Sequence, residues 1–148
     1  MHDPALSTAQ HRELIEALAL SHVLPHDTLP VEECLGRRLA VDVSSLIPLP
    51  PFTNSAMDGF AVRRDDLEGE GPWTLPVAGD IPAGDTRENR LERGQAWRIM
   101  TGAPIPEGAD TVVKVEDTDH AAGIAQAPDT VEIRVAPKLG ANVRVAGE

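Results

Sequence analysis

Apolar and polar positions follow a helical period near the N-terminus and a two-residue period further along the chain. A capping-box pattern, in which Ser7 is followed three residues later by Gln10, predicts the start of an amphipathic helix. The apolar positions that then recur at helical spacing are Leu14, Ile15, Leu18 and Val23. A second, short helix is predicted from residue 30 or 31 to residue 35, with Gly36 as its stop. The alternation over residues 38–43 predicts a short strand.

A proline-rich bend is formed by Pro48, Pro50 and Pro51. It separates the N-terminal segment from a second part of the chain, for which the sequence predicts only strands and turns. The predicted strands cover residues 59–63, 73–78, 95–100, 111–115 and 131–135, and the acidic segment 116–119 is predicted to be a solvated loop. The fold class is therefore mixed α+β and mainly β. A helical N-terminal segment, residues 1–46, precedes a compact β-rich sheet or barrel, residues 47–140.

Charge and composition narrow the functional classes. The net charge of −11 argues against a general nucleic-acid surface, so an anionic ligand would need local backbone N–H groups, arginines or a divalent metal. Cys34 is the single cysteine and the five histidines show no ligand spacing, so neither a disulfide framework nor a zinc site is predicted. With no secretory signal pattern and no membrane-length apolar run, the sequence favours a cytoplasmic protein with no membrane partner.

The first candidate for chemistry is Asp58, which follows the proline-rich bend and stands next to Gly59 at the entrance of a predicted strand. On a loop stiffened by prolines, this carboxylate could coordinate Mg²⁺ or act as a general base. Asn54 and Ser55 in the same loop can bond to nearby backbone. The alternative is a structural turn in which Asp58 only accepts bonds from backbone N–H groups, and the residues alone leave both interpretations open.

The second candidate is the loop that begins with Thr101 and Gly102, after the strand predicted to end at residue 100. A threonine hydroxyl and a glycine N–H are suitable donors for an anion such as phosphate. The alternative is a turn closed by the Thr101 side chain. Near the C-terminus, Arg144 could bind an anion or form a surface ion pair.

Taken together, four segments resemble the molybdopterin molybdenumtransferases, the bacterial MoeA type that is related to the E domain of gephyrin. In order, they are PPFTNSAMDGFAVR, VAGDIPAG, RIMTGAPIPEGADTVV and GANVRVAGE. The resemblance implies an enzyme of molybdenum cofactor biosynthesis. Such enzymes combine molybdate with adenylylated molybdopterin, use a divalent metal such as Mg²⁺, and release AMP. It also implies a homodimer whose site lies between the β-rich second domain of one subunit and the α/β third domain of its partner.

By position, the resemblance makes Asp58 a catalytic and metal-binding residue and Thr101 a catalytic residue. It assigns substrate binding to Asn54, Ser55, Gly102 and Arg144. Thr53 and Phe60 depart from the Asp and Tyr that are more usual in the first segment, and neither change alters Asp58.

In the family, a GED triplet lies where the chain begins to return to the first domain. The present chain ends inside this triplet, and residues 141–148 would be the start of the return segment. We therefore expect an N-terminal part of such an enzyme, with an incomplete first domain, that is inactive alone. The alternative is a non-catalytic dimerisation or protein-interaction module built on the same fold.

Overall fold

The computed structural model describes residues 5–22, 25–123 and 126–148, which fall into two compact units that meet in sequence at Ser44 and Ser45. In the first unit, helix α1 covers Thr8–Ser21. Its capping box is confirmed, because the Gln10 N–H donates to Ser7 Oγ (3.3 Å) and the Ser7 N–H donates to Gln10 Oε1 (3.0 Å). Val23, which was assigned to the apolar face of this helix, lies outside the described residues.

After α1, the described residues of the first unit form one short 3₁₀ helix, Val31–Glu33, within the range predicted for the second helix. The predicted strand over residues 38–43 is wrong, since the structure has no strand there. The alternating pattern supplies two faces, but a strand also needs a neighbour to satisfy its N–H and C=O groups. Among the described residues, no segment pairs with this one.

The second unit is built from short strands. They are β1 Asn54–Ser55, β2 Gly59–Val62, β3 Trp73–Ile81, β4 Ala96–Ile99, β5 Thr111–Lys114, β6 Thr130–Ile133 and β7 Val143–Arg144. Five of them form a sheet in the order β5-β2-β4-β3-β6, in which only the β3–β4 pair is parallel. The other two, β1 and β7, form a separate antiparallel pair.

Strand β3 is longer than predicted because it changes partners along its length. Its first half, from Trp73 to Pro76, pairs with β6, and its second half, from Val77 to Ile81, pairs with β4. The register shifts between Val77 and Gly79, where the chain passes from one partner to the other. The small and polar residues of this second half obscure the alternation that would have predicted a strand.

The five-stranded sheet curls and is closed by the chain that leaves β5. Thr118 pairs with Ile133 of β6, and the Arg134 N–H donates to the Asp117 carbonyl (2.8 Å). The prediction of a solvated loop over residues 116–119 is therefore wrong at its centre, because Thr118 is only 3% exposed. The acidic residues on either side of it stay accessible while the backbone bonds to β6.

Both faces of the curled sheet are covered by apolar side chains, most of them small or aliphatic. One cluster comprises Phe60, Val62, Leu67, Leu75, Ala96, Val113, Val131 and Ile133, and the other comprises Ala61, Ile81, Ile99, Ala103 and Val112. The predicted fold class, a helical segment followed by a compact β-rich unit, is confirmed. Within the described parts of the chain, no helix combines the length and the apolar character needed to cross a membrane.

Candidate functional site

Asp58 and Thr101 lie side by side because they flank neighbouring strands. Strands β2 and β4 are antiparallel, with Gly59 opposite Ile99, so the start of β2 and the end of β4 fall at the same end of the sheet. Asp58 Oδ1 accepts two hydrogen bonds from Thr101, one from its backbone N–H (2.7 Å) and one from its hydroxyl (2.6 Å). The two residues assigned to catalysis by resemblance therefore form one pair.

The backbone around Asp58 is held closely against β5. The Val115 N–H donates to the Asp58 carbonyl (3.1 Å), and Gly59 pairs with Lys114. A Cβ added to Gly59 would overlap the carbonyl oxygen of Val113. Only glycine allows the two strands to come this close, and this approach places the acid at the rim of the sheet.

The charge state of Asp58 follows from these contacts. The Thr101 hydroxyl, then the Thr101 N–H and finally the Arg98 guanidinium lower the pKa of Asp58, while burial opposes them. The carboxylate is therefore ionised at neutral pH. A base with so low a pKa is poorly matched to proton abstraction near pH 7, so its charge is better suited to holding a cation or orienting a ligand.

A small pocket opens beside this carboxylate. Asp58, Phe60, Arg98 and Met100 are among its lining residues. Arg98 was not assigned to the site from the sequence. Its side chain is only 11% exposed and donates from Nη1 to Asp80 Oδ2 (2.8 Å). The sequence did hold a signal for Arg98, because it stands inside an otherwise apolar predicted strand. An arginine buried in such a strand is rarely without a partner.

Asn54 and Ser55 support the loop that carries Asp58. Both are buried, and they form β1. The Ser55 hydroxyl donates to the Met57 carbonyl (2.6 Å) and accepts from the Met57 N–H (3.3 Å). The Asn54 side-chain amide donates to the Phe52 carbonyl (3.1 Å). These contacts fix the turn before Asp58, and substrate binding by either side chain stays a prediction.

Gly102 and Arg144 lie next to this loop. Gly102 adopts a φ of 82°, and its N–H, which the sequence assigned to an anion, donates to the Ser55 carbonyl (2.8 Å). Arg144 is exposed on β7 opposite Asn54, and the described residues lining the pocket do not include it. The structure thus brings Asp58 and Thr101 into contact, and it joins Gly102 to their loops through the backbone.

Few protein side chains are placed here to act as ligands of a metal ion. Within the residues that the structure describes, no group of three His, Cys, Asp or Glu side chains could hold a metal ion. Asp58 Oδ1 is occupied by Thr101, and no hydrogen bond from a described residue reaches Oδ2. One carboxylate oxygen fits Mg²⁺, which keeps several waters and takes one or two carboxylates together with phosphates of the ligand.

The curled sheet of this chain has the fold of solved molybdopterin biosynthesis proteins. A crystal structure of the MoeA protein from Pyrococcus horikoshii matches with a TM-score of 0.68 and 30% identity, over 82% of this chain and 31% of that one. The family model described as the MoeA N-terminal region (domain I and II) matches residues 6–148. The chain belongs to the MoeA family, which confirms the resemblance drawn from the four segments.

Relatives among curated proteins agree. Molybdopterin molybdenumtransferase 2 of Mycobacterium tuberculosis is 45% identical over 124 residues, which are 82% of this chain and 29% of that protein. The molybdopterin molybdenumtransferase of a Nostoc species is 38% identical over 145 residues, which are 96% of this chain and 29% of that protein. The chain thus spans about three-tenths of the length of these relatives.

Proposed function

We propose that the protein acts in molybdenum cofactor biosynthesis, in the cytoplasm and as a homodimer, by inserting molybdate into adenylylated molybdopterin with release of AMP. The names of its relatives support this proposal. The observation that carries it in this chain is the contact between Asp58 and Thr101 beside a pocket. The pair joins two loops that lie far apart in sequence, as expected for a site rather than for a local turn.

In this proposal Asp58 and Thr101 act by positioning and charge. Asp58 presents an ionised carboxylate whose orientation is fixed by Thr101, and Thr101 in turn is held beside the ligand. Asp58 Oδ2 would hold Mg²⁺ when it is bound, and the metal would neutralise negative charge on the phosphates of the substrate. Asn54, Ser55 and Gly102 maintain the geometry of the two loops, and Arg144 contributes charge nearby.

The described residues supply only part of such a site. One free carboxylate oxygen and one hydroxyl cannot by themselves bind a nucleotide, a pterin and an oxyanion. We therefore propose that the remaining groups come from other segments of the protein and from its partner subunit. On this basis the 148-residue chain alone should release no AMP.

The test uses the protein expressed from its complete gene. Purified protein is incubated with adenylylated molybdopterin, molybdate and Mg²⁺, and AMP and molybdenum cofactor are quantified over time. Production of both, and its loss without molybdate, supports the proposal. A folded protein that binds partners or dimerises but forms no cofactor would instead support the non-catalytic interaction module.

A further inference from the structure

Asn142 joins two segments of the β-rich unit that are distant in sequence. Its side-chain amide donates to the Val112 carbonyl of β5 (2.9 Å), and its backbone carbonyl accepts the N–H of Ala56 (2.9 Å). Ala56 stands two positions before Asp58, in the loop that leads into β2. One residue thus links an edge strand of the five-stranded sheet to the loop that carries the acid.

The backbone conformation of Asn142 accompanies this double contact. Its φ is 58°, and among the described residues it is the one residue other than glycine with a positive φ. Of the residues with a side chain, asparagine and aspartate tolerate this region best. Glycine has no side chain to reach Val112, and an ionised aspartate has no proton to donate to a carbonyl. Asparagine alone among these three meets both requirements.

Closing the edge of β5 would be a purely structural role for this residue. The Val112 N–H donates to the Ala141 carbonyl (3.0 Å), so the turn that contains Asn142 satisfies both backbone groups of Val112 at the edge of the sheet. The bond to Ala56 is not required for that purpose. It attaches the sheet to the loop immediately before Asp58, which forms the candidate site.

The loop before β2 is held by two kinds of backbone bond. Ser55 bonds through its N–H and its carbonyl to the loop after β4, and these bonds join the two site loops to each other. The Asp58 carbonyl accepts the Val115 N–H (3.1 Å), which fixes the end of the loop against the chain that leaves β5. The Asn142 carbonyl fixes a second point, at Ala56. With two fixed points on the side of β5, the turn that presents the carboxylate has one direction.

We propose that Asn142 is a positioning residue for the reaction of the proposed function, on which this inference rests. Asn142 holds Ala56 at a set distance from β5, so that Asp58 meets Thr101 and directs its second oxygen towards the ligand. It acts through the loop and touches no ligand itself. Such a residue matters because a misplacement of about 1 Å in a catalytic group can lower the rate strongly.

The test is carried out on the protein expressed from its complete gene. Asn142→Gly keeps the backbone conformation and the carbonyl and removes only the amide. Asn142→Asp keeps the size of the side chain but not the donor. In both variants we expect kcat for AMP release, per folded molecule, to fall about tenfold or more, with smaller changes in the KM values for adenylylated molybdopterin and molybdate.

Hydrogen exchange provides a second arm that needs no turnover. The Thr101 N–H donates to Asp58 Oδ1, so its exchange rate, measured by mass spectrometry on the same protein, reports on the contact between the two loops. Asn142→Gly should raise this rate about tenfold. The Leu91 N–H, which donates to the Glu107 carbonyl (2.8 Å), is the reference amide and should exchange as in the wild type. An inactive wild type that still shows this difference would contradict the proposed function and leave the positioning of Asp58 by Asn142 intact.

Asn89→Ala is the matched control. Asn89 also donates from its side-chain amide, to Asp85 Oδ2 (3.2 Å), and accepts the Glu107 N–H at its carbonyl (2.9 Å), but neither bond involves the loop that carries Asp58. This variant should keep the wild-type kcat. If Asn142 serves only the fold, Asn142→Gly will lower the melting temperature and leave kcat per folded molecule unchanged. That result, or an unchanged exchange rate at the amide of residue 101, would overturn the proposal.

Discussion

Asp58 Oδ1 is the acceptor of both the backbone N–H and the hydroxyl of Thr101, at 2.7 Å and 2.6 Å. These bonds connect the loop before β2 to the loop after β4. They bring together an acid and a threonine that are 43 positions apart in the sequence. They also leave Asp58 Oδ2 without a hydrogen-bond donor among the described residues, and this is the oxygen that we propose for contact with a ligand.

Thr101→Val tests the stabilising value of the hydroxyl bond. Valine keeps the branched shape and the backbone N–H, so only the hydroxyl is lost. Because this bond is exposed, we expect the free energy of unfolding of the 148-residue chain to fall by about 0.5–1 kcal/mol at pH 7, measured by urea denaturation. Thr101→Ser, which retains the hydroxyl, should lose less. Equal losses in the two variants would show that the hydroxyl bond adds nothing to stability.

The same bonds predict a pH dependence. The pKa of Asp58 is lower in the folded protein than its ordinary value of 3.8, so its ionised form is favoured by folding. The resulting stabilisation is complete above 3.8 and is lost as pH falls through the folded pKa. Urea titrations below pH 4 should therefore show the wild type converging in stability with Asp58→Asn. A constant difference from pH 7 to about pH 2 would contradict this linkage.

The sequence predicted most strands because their alternation is clear. The four strands β2, β4, β5 and β6 begin or end within two residues of their predicted bounds. It could not predict that β3 and β4 run parallel, because that pairing depends on a connection across the sheet. The strand predicted at residues 38–43 was wrong for a related reason. Alternation of apolar and polar residues does not reveal whether a segment has a strand to pair with.

The site was predictable in its parts but not in its geometry. Both Asp58 and Thr101 carry local signals, a carboxylate beside a glycine and a hydroxyl at a strand end. Their contact depends on the register of Gly59 opposite Ile99, which no local pattern encodes. Arg98 was missed because its position beside Asp58 depends on burial and on pairing with Asp80, and both are properties of the folded sheet.

Asp58→Asn is the direct test of the acid. Asparagine can still accept bonds from Thr101 through its side-chain oxygen, so stability at pH 7 should change by only about 1 kcal/mol. Its neutral amide cannot supply the charge. We therefore expect molybdenum insertion by the protein from the complete gene to fall by about 10²-fold or more, measured as AMP release.

Asp110→Asn is the control for this substitution. Asp110 Oδ1 likewise accepts a backbone N–H, from Arg64 at 2.8 Å, but Asp110 is not among the described residues that line the pocket. Its loss of charge should leave AMP release unchanged. Normal turnover by Asp58→Asn would reduce Asp58 to the structural turn that the sequence left open.

Gly59→Ala tests whether close approach of the strands positions the acid. The added methyl group would overlap the backbone carbonyl oxygen of Val113, which cannot move without separating β2 from β5. We expect the free energy of unfolding to fall by about 1–3 kcal/mol or more, as for other overpacked cores.

Gly84→Ala is the control, because Gly84 has a φ of 81° and no atom within 4 Å of the added Cβ. It should cost only the backbone strain of about 1–2 kcal/mol. If thermal melting shows Gly59→Ala to be as stable as the wild type, the strands do not restrict this position and the argument that glycine places Asp58 at the rim fails.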